Sequence, residues 1–517
     1  MARNTNPAVR AGQQDDHPAQ YRGASRAGGP KYSALVIAAY SLLVASFMFS
    51  TPPGASPDEG VHYLKALAAG RGDIVLRKEP PPLPPTGVPQ TIRWLHLQTR
   101  LVTVPPHLAP APFSCWSYQF YVGACKPGDQ ARSPAPTGTV EIGTHVGRYP
   151  PYGYIVPGAL MRLAGDPTSA LRWGRVGVAL SSMGLLAVAA LALAGRDPVS
   201  ITGLIAGMTP MAVYLFASLS SNGVEIAAGI CFLACLLRLS RPSPPGWLWW
   251  ATAAAGAVLC LTRDLGPVWM LIDVAIFLSL SGIPAARRAW RSGGRAAAAA
   301  LVIIACSAGM SVVWQLTQSA RPPLGPELIW NLGDRFKYLP DLFRQTIGVF
   351  GALDGPMPGP AYWLGGLTIA GLVILALTYG SWRERAVLTG TFAAVLGATL
   401  FVDGAQAAAG FGAQGRHLMP IAVAIPLVAG EVLARRRGGG AALIRLAPLV
   451  VAGAASILQL AGWYTIAHRF SVGATGPVRF FLEPQWSPPL GWIPWALLTL
   501  AGALLITVLG FRWKEAA

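Results

Sequence analysis

The chain has 517 residues, of which 53% are hydrophobic and only 12% charged, and its mean hydropathy is +0.46. A soluble globular protein carries about 25% charged residues, so this composition excludes one and indicates an integral membrane protein with many spans. The formal net charge of +18 is mostly arginine. In a polytopic membrane protein such charge collects in cytoplasmic loops facing anionic lipid, so no nucleic-acid partner is expected.

Residues 1–32 are polar and Gly/Ala-rich, and read as a disordered cytoplasmic N-terminus. The apolar run 33–50 has no small-residue cleavage site after it, so it reads as an uncleaved first transmembrane helix. Residues 51–169 then form a long polar, Pro-rich extracytoplasmic loop with juxtamembrane helices. Eleven further apolar segments fall at 170–194, 198–217, 222–240, 245–262, 266–283, 296–317, 361–380, 386–402, 416–434, 445–465 and 489–510. Each is close to the ~20 residues that a spanning helix needs. They give a transmembrane core at 170–317, a second extracytoplasmic loop at 318–360 and C-terminal transmembrane helices at 361–517. The segment 152–165 is too short to span. If it spanned, Arg287, Arg288, Arg291 and Arg295, Arg383 and Arg385, and Arg435 to Arg437 would all move outside, against the positive-inside rule. The expected fold is therefore all-α, with about 12 transmembrane helices, both termini in the cytoplasm and a short helix at 152–165 that either lies against the outer face or is re-entrant.

Within the first loop, "SPDEGVHYLKALAAG" places Asp58, Glu59 and His62 at the start of a helix. Val61, Leu64, Leu67 and Ala68 share one face, as expected of a helix lying on the membrane surface. Two readings stand for Asp58: helix capping, favoured by the dipole, or chemistry. Further along, Cys115 and Cys125 bracket "WSYQFYVGA", and a disulfide fits if this loop is outside. The remaining cysteines, Cys231, Cys235, Cys260 and Cys306, lie in apolar runs and read as inert core. "GRYPPYGY" sets Arg148, Tyr149 and Tyr152 either in a rigid interfacial turn or along a groove for a lipid-linked phosphate or sugar.

"SLSSNGVEIA" makes Asn222 an N-cap candidate and Glu225 its capping-box partner. Glu225 also lies a turn inside a membrane helix, where ionisable groups tend to be functional. In "LTRDLGP", Arg263 and Asp264 can neutralise one another, whereas Asp273 lies deeper. Arg335, Arg344 and Asp354 around "FGALDGPMP" read as structural, because Gly/Pro turn chemistry explains that stretch. In "GAQGRHLMP", Gln414, Arg416 and His417 stand where a helix enters the membrane from outside. An arginine there either snorkels to headgroups or holds an anion such as phosphate.

Taken together, P-D-E-x-x-H, the "PPYGY" stretch, the Asn-containing turn, "FGALDGPMP" and "QGRHLMP" occur in an order that resembles a largely uncharacterised family of bacterial polytopic membrane proteins in the GT-C glycosyltransferase superfamily. The resemblance covers roughly 51–420. It implies a GT-C-like helical bundle that transfers a sugar from a polyprenyl-phosphate donor to an envelope glycan, lipid or protein acceptor at the extracytoplasmic face of the bacterial cytoplasmic membrane. It places an acidic residue, here Asp58, near the acceptor, and arginine and histidine, here Arg416 and His417, at the lipid phosphate. Two positions depart from the family pattern: Asp is usual in the turn that here holds Asn222 and Glu225, and Tyr is usual at His417. In an inverting transfer, Asp58 would be the general base, and Arg416, with Arg148 or Arg172, would stabilise the leaving phosphate. Glu59 or His62 would orient Asp58, or Asp58 and Glu59 would hold Mg²⁺, Mn²⁺ or Ca²⁺. The alternatives are a transporter or flippase of lipid-linked sugars, and a non-catalytic envelope assembly protein.

Overall fold

The computed structural model describes residues 29–110, 123, 138–194, 199–319, 332–436 and 442–516. The disulfide expected between Cys115 and Cys125 and most of the N-terminal 1–32 segment lie outside these residues. Apolar runs fold as helices because a backbone in hydrocarbon has no water to satisfy its N–H and C=O groups. Among the described residues, nine helices are long and apolar enough to cross a membrane, or ten if one bent pair counts as a span. The protein is a multi-pass helical membrane protein, with small two-stranded sheets only in its loops.

All twelve expected segments are helical, but not all are separate straight spans. The segments at 266–283 and 296–317 are joined in one run, Gly266–Thr317, which leaves helical dihedrals at Gly282 and Gly294. Trp247–Thr262 has only 16 residues. The straight helix expected at 198–217 is instead two, Val199–Gly207 and Pro210–Phe216, bent by 73°. Thr209 caps the second with its side chain and Pro210 occupies its first turn, and proline has no N–H with which to continue the first. The segment expected at 416–434 is two helices in close succession, Gly415–Ala422 and Ala424–Arg436, which together make one span. Ser221–Leu239 runs through the centre with every residue buried. Leu180, Leu301, Val302, Trp363, Leu367 and Ile374 stay exposed on the outer helices, as lipid-facing residues must.

The first loop carries the helix Glu59–Gly70. It is not the surface-lying amphipathic helix expected: Tyr63, Lys65 and Ala66 are buried along with Leu64, Leu67 and Ala68. The reason is that three elements close around it. The antiparallel pair Arg100–Val104 and Val140–Thr144, in register Arg100↔Thr144, covers one side. Thr144 Oγ1 donates to Val61 O at 2.8 Å, and Lys65 Nζ donates to Gly147 O at 2.8 Å. The segment 152–165 forms a 3₁₀ turn, Tyr152–Tyr154, and a short helix, Ile155–Met161. This short helix crosses Glu59–Gly70 backbone to backbone. A Cβ on Gly158 would sit 2.2 Å from Ala66 O, and one on Gly70 would sit 2.1 Å from Gly158 O, so both must be glycine.

The second loop contributes the helix Leu339–Gly348 and the hairpin Val349–Phe350/Gly355–Pro356. Asp354 is buried against Arg469 Nη2 at 2.5 Å. Gln345 Oε1 accepts the Gly415 N–H at 2.8 Å and so ties this loop to the start of the Gly415–Ala422 helix.

Candidate functional site

The two neighbouring carboxylates of the first loop point to different partners. Asp58 adopts a left-handed backbone (φ 55°, ψ 17°) just before the helix, and its side chain makes no capping bond. Helix capping is therefore not what this carboxylate does. A positive φ is costly for any residue with a Cβ, and Asp and Asn tolerate it best. Glu59, in contrast, is only 1% exposed. Its Oε1 accepts Arg175 Nε at 2.7 Å and the Leu219 N–H at 2.9 Å; its Oε2 accepts Arg175 Nη2 at 2.6 Å and the Gly54 N–H at 2.9 Å. Arg175 also donates to the carbonyls of Met48, Thr51 and Pro52. All five guanidinium hydrogens are thereby used.

Asp58 meets Arg416 instead. Its side chain keeps 43% of its exposure while Arg416, 4% exposed, donates Nη2 to Asp58 Oδ2. Among the described residues, Arg416 Nε and Nη1 are buried with no partner, as is Gln414 Oε1. The Gly415–Ala422 helix reaches this point because Gly415 abuts the second loop: a Cβ there would lie 2.6 Å from Leu342 O.

A ring of polar groups surrounds the pair. His62, His145 and His417 all feel the charges of Asp58 and Arg416. His62 Nδ1 shares a hydrogen bond of 2.7 Å with Tyr154 OH, which in turn donates to Ser221 Oγ at 3.3 Å. The Tyr154 ring stacks on His62 at 5.7 Å and the Tyr149 ring tilts towards it at 6.4 Å. His417 Nδ1 lies 3.0 Å from Gln406 Nε2. Arg263 sits with its guanidinium over the Tyr149 ring at 5.3 Å, donates to Asn222 Oδ1 and lies 3.6 Å from Glu225 Oε2.

The capping box expected from Asn222 and Glu225 is not formed. Ser220 is the N-cap, its Oγ accepting the Asn222 N–H at 3.2 Å. Glu225 turns to Arg263 and accepts Trp269 Nε1 at 3.2 Å, because a buried carboxylate needs charged or hydrogen-bonding partners more than a helix end needs a second cap. Arg263 and Asp264 do not neutralise each other through a contact: Asp264 Oδ1 accepts Ser319 Oγ at 3.2 Å. Asp273 is buried further in, with no partner on either oxygen among the described residues.

Electrostatics follow from this packing. Burial works to raise the Asp58 carboxyl, but the Arg416 charge, aided by His62 and His145, outweighs it and holds Asp58 below the usual carboxylate range. Burial, reinforced by Arg416 and Arg263, pulls His62 down to about 3 despite the attraction of Asp58. At neutral pH the site thus has an ionised, reachable carboxylate, a neutral imidazole and a buried guanidinium with donors to spare. It can accept a proton and hold an oxyanion side by side.

Asp58, His62, Tyr149, Asn222, Glu225, Arg263, Gln414, Arg416 and His417 lie at or around this site. Glu59 faces away, so Asp58 and Glu59 do not converge on a shared cation. Among the described residues no group of three or more His, Cys, Asp or Glu is placed to hold a metal ion. Arg172 is exposed. Arg148 donates Nη1 to Gln318 O at 2.9 Å, and the Tyr152 ring meets the Trp314 edge at 6.4 Å. Sequence reasoning missed Arg175, His145 and Tyr154. For Arg175 a signal existed: an ionisable group inside an apolar run requires a partner.

No curated protein matches the sequence. Two crystal structures of ArnT from Cupriavidus metallidurans are similar. The apo form is 16% identical, with 87% of this chain and 75% of that chain covered and a TM-score of 0.38. The form bound to undecaprenyl phosphate is 16% identical, with 94% and 78% covered and a TM-score of 0.41. The family described as "Predicted membrane protein (DUF2142)" matches residues 42–425, which run from the first helix to beyond the arginine that meets Asp58, and the chain belongs to that family.

Proposed function

We propose that the protein is a GT-C-type glycosyltransferase that moves a sugar from a polyprenyl-phosphate donor to an envelope acceptor at the extracytoplasmic face of the bacterial cytoplasmic membrane. The observation that carries this reading is the Asp58–Arg416 pair: a reachable carboxylate against a buried guanidinium that has two unpartnered nitrogens. A pair kept only for stability would be saturated, as Glu59–Arg175 is. The motif resemblance and the arginine-rich inner loops support the outer-face placement.

In the proposed reaction the donor phosphate engages Arg416, with Arg263 behind it, by charge-assisted hydrogen bonds. Arg416 then shares its charge between phosphate and Asp58, and the carboxylate is freed to meet the acceptor hydroxyl. That hydroxyl oxygen bonds to the anomeric carbon while Asp58 takes its proton. The bond from that carbon to the phosphate oxygen breaks on the opposite side, and the electron pair leaves with the lipid phosphate. The anomeric configuration inverts. Arg416 and Arg263 stabilise the charge that grows on the leaving phosphate. His62, neutral and fixed by Tyr154, orients the carboxylate.

The test is mass analysis of envelope glycans from a deletion strain complemented with the wild-type chain or with Asp58→Asn. We expect a glycan to vanish on deletion and to return only with the wild type. Full restoration by Asp58→Asn at equal expression would overturn the assignment of the base. Unaltered glycans with a transport defect would favour the flippase alternative.

A further inference from the structure

On the far side of the turn that carries His145 and Tyr149 lies a second arginine pair. Arg100, at the start of the first strand, is 8% exposed, and Arg148 stands directly before Tyr149. Burial, reinforced by the repelling charge of Arg148 and opposed by Glu79, pushes the Arg100 guanidinium below its usual range. One carboxylate bridges the two arginines. Glu79 Oε1 lies 2.9 Å from Arg100 Nη2 and 3.7 Å from Arg148 Nη2. Arg148 Nε is buried and has no partner among the described residues. Glu79 itself is 69% exposed and belongs to the Pro-rich strap "RKEPPPLPP", which has no regular structure.

This arrangement is unlike the structural ion pairs elsewhere in the chain. Glu59, Asp354 and Glu431 are buried acids facing buried or half-buried arginines. Here the cations are built in and the anion is the exposed member. Two guanidiniums against one carboxylate leave one positive charge and an unused donor. The pair lies at the end of a long apolar helix: Arg148 Nη1 bonds the Gln318 carbonyl, one residue past the Gly266–Thr317 helix, and Trp314 Nε1 donates to Arg148 O at 3.0 Å.

We propose that Arg100 and Arg148 form an oxyanion subsite for a phosphate group carried by the acceptor, and that Glu79 occupies this subsite until the acceptor displaces it. The assignment rests on the transferase reading above and gives it a substrate class: an acceptor bearing phosphate near the hydroxyl that is glycosylated. A doubly charged phosphate matches two arginines better than the single charge of Glu79 does, and it brings more acceptor oxygens to them than one carboxylate offers.

The test uses full-length protein in detergent, in an Arg416→Gln background that silences the proposed donor site, with inorganic phosphate titrated calorimetrically. Glu79→Ala, a change at an exposed residue, is expected to tighten phosphate binding about tenfold, because a tethered occupant competes at a high effective concentration. Adding Arg100→Gln or Arg148→Gln should abolish the gain. An unchanged affinity on Glu79→Ala, or a gain that survives both arginine changes, would overturn the proposal. Phosphatidic acid in phosphatidylcholine nanodiscs separates the sources: a larger gain than with inorganic phosphate assigns a lipid-borne group, and an equal gain a soluble one. Asp58→Asn should leave these titrations untouched, so the base assignment can fail without the subsite failing.

Discussion

Asp58–Arg416 and Glu59–Arg175 are ion pairs on adjacent residues, and they differ in every respect that matters. Glu59 and Arg175 are sealed in the protein, and every donor on the arginine is used. Asp58 is half-exposed, and its arginine keeps two nitrogens without partners. The difference teaches that a closed pair fixes the chain, while an open pair is available to a ligand. The left-handed turn at Asp58 separates the two carboxylates, directing one inward and the other to the rim.

The sharpest way to break the comparison is Asp58→Asn. On the open side the expected loss is chiefly in rate, about 10²–10⁴-fold for removal of a general base, with a modest fall in melting temperature in detergent because the ionised Asp58 paired with Arg416 also contributes stability. A lower melting temperature with full transfer per folded molecule would move Asp58 to the closed class. On the closed side, Arg175→Gln leaves the buried Glu59 charge uncompensated and should cost about 3–5 kcal/mol of stability, read from thermal melting. Glu59→Gln combined with Arg175→Gln should recover part of that loss. If Arg175→Gln melts like the wild type, the clamp is not what holds the loop.

Acidification probes the open side more gently. His62 has an ordinary value of 6.5 and is pulled down to about 3 in the fold. Between these values the unfolded chain binds a proton that the native site refuses, so stability falls as pH drops, by at most about 1.4 kcal/mol per pH unit for this one group. Asp58 adds a loss of the same sign only below the ordinary carboxylate range, because its native value is depressed. His62→Gln should flatten the melting temperature between about pH 6 and 4, and an unchanged slope would show that His62 is not the group refusing the proton. The smallest expected effect is that of Ser220→Ala, which removes a helix cap beside the Leu219 amide that serves Glu59. It should cost about 1 kcal/mol and leave the rate alone.

Much of the architecture was legible in the sequence because a membrane helix announces itself by length and apolarity. The twelve segments and the short element at 152–165 follow from that and from the arginines clustered between segments. Bends were less legible. Thr209–Pro210 is a cap followed by a first-turn proline, yet its apolar surroundings read as one continuous span. The site was partly legible: Asp58, His62, Arg263 and Arg416 stand out as polar groups at helix ends. Which of two neighbours faces inward was not. Glu59 against Asp58, and Arg175 against Arg172, differ only by the rotation of a helix that tertiary packing sets. The roles of Asn222 and Glu225 were misread for a related reason, since a local capping pattern lost to a long-range charge, that of Arg263.

The crossing of Gly70 and Gly158 makes the Glu59–Gly70 helix a lever. Twelve residues make it about 18 Å long, with the glycine contact near one end and Asp58 at the other. A single methyl group at Gly158 would tilt it. A tilt of about 3° over that length carries the carboxylate by about 1 Å, a displacement that can cost about a hundredfold in rate. In a mutational scan Gly158, a hundred positions downstream of Asp58, would therefore score like an active-site residue without touching any substrate.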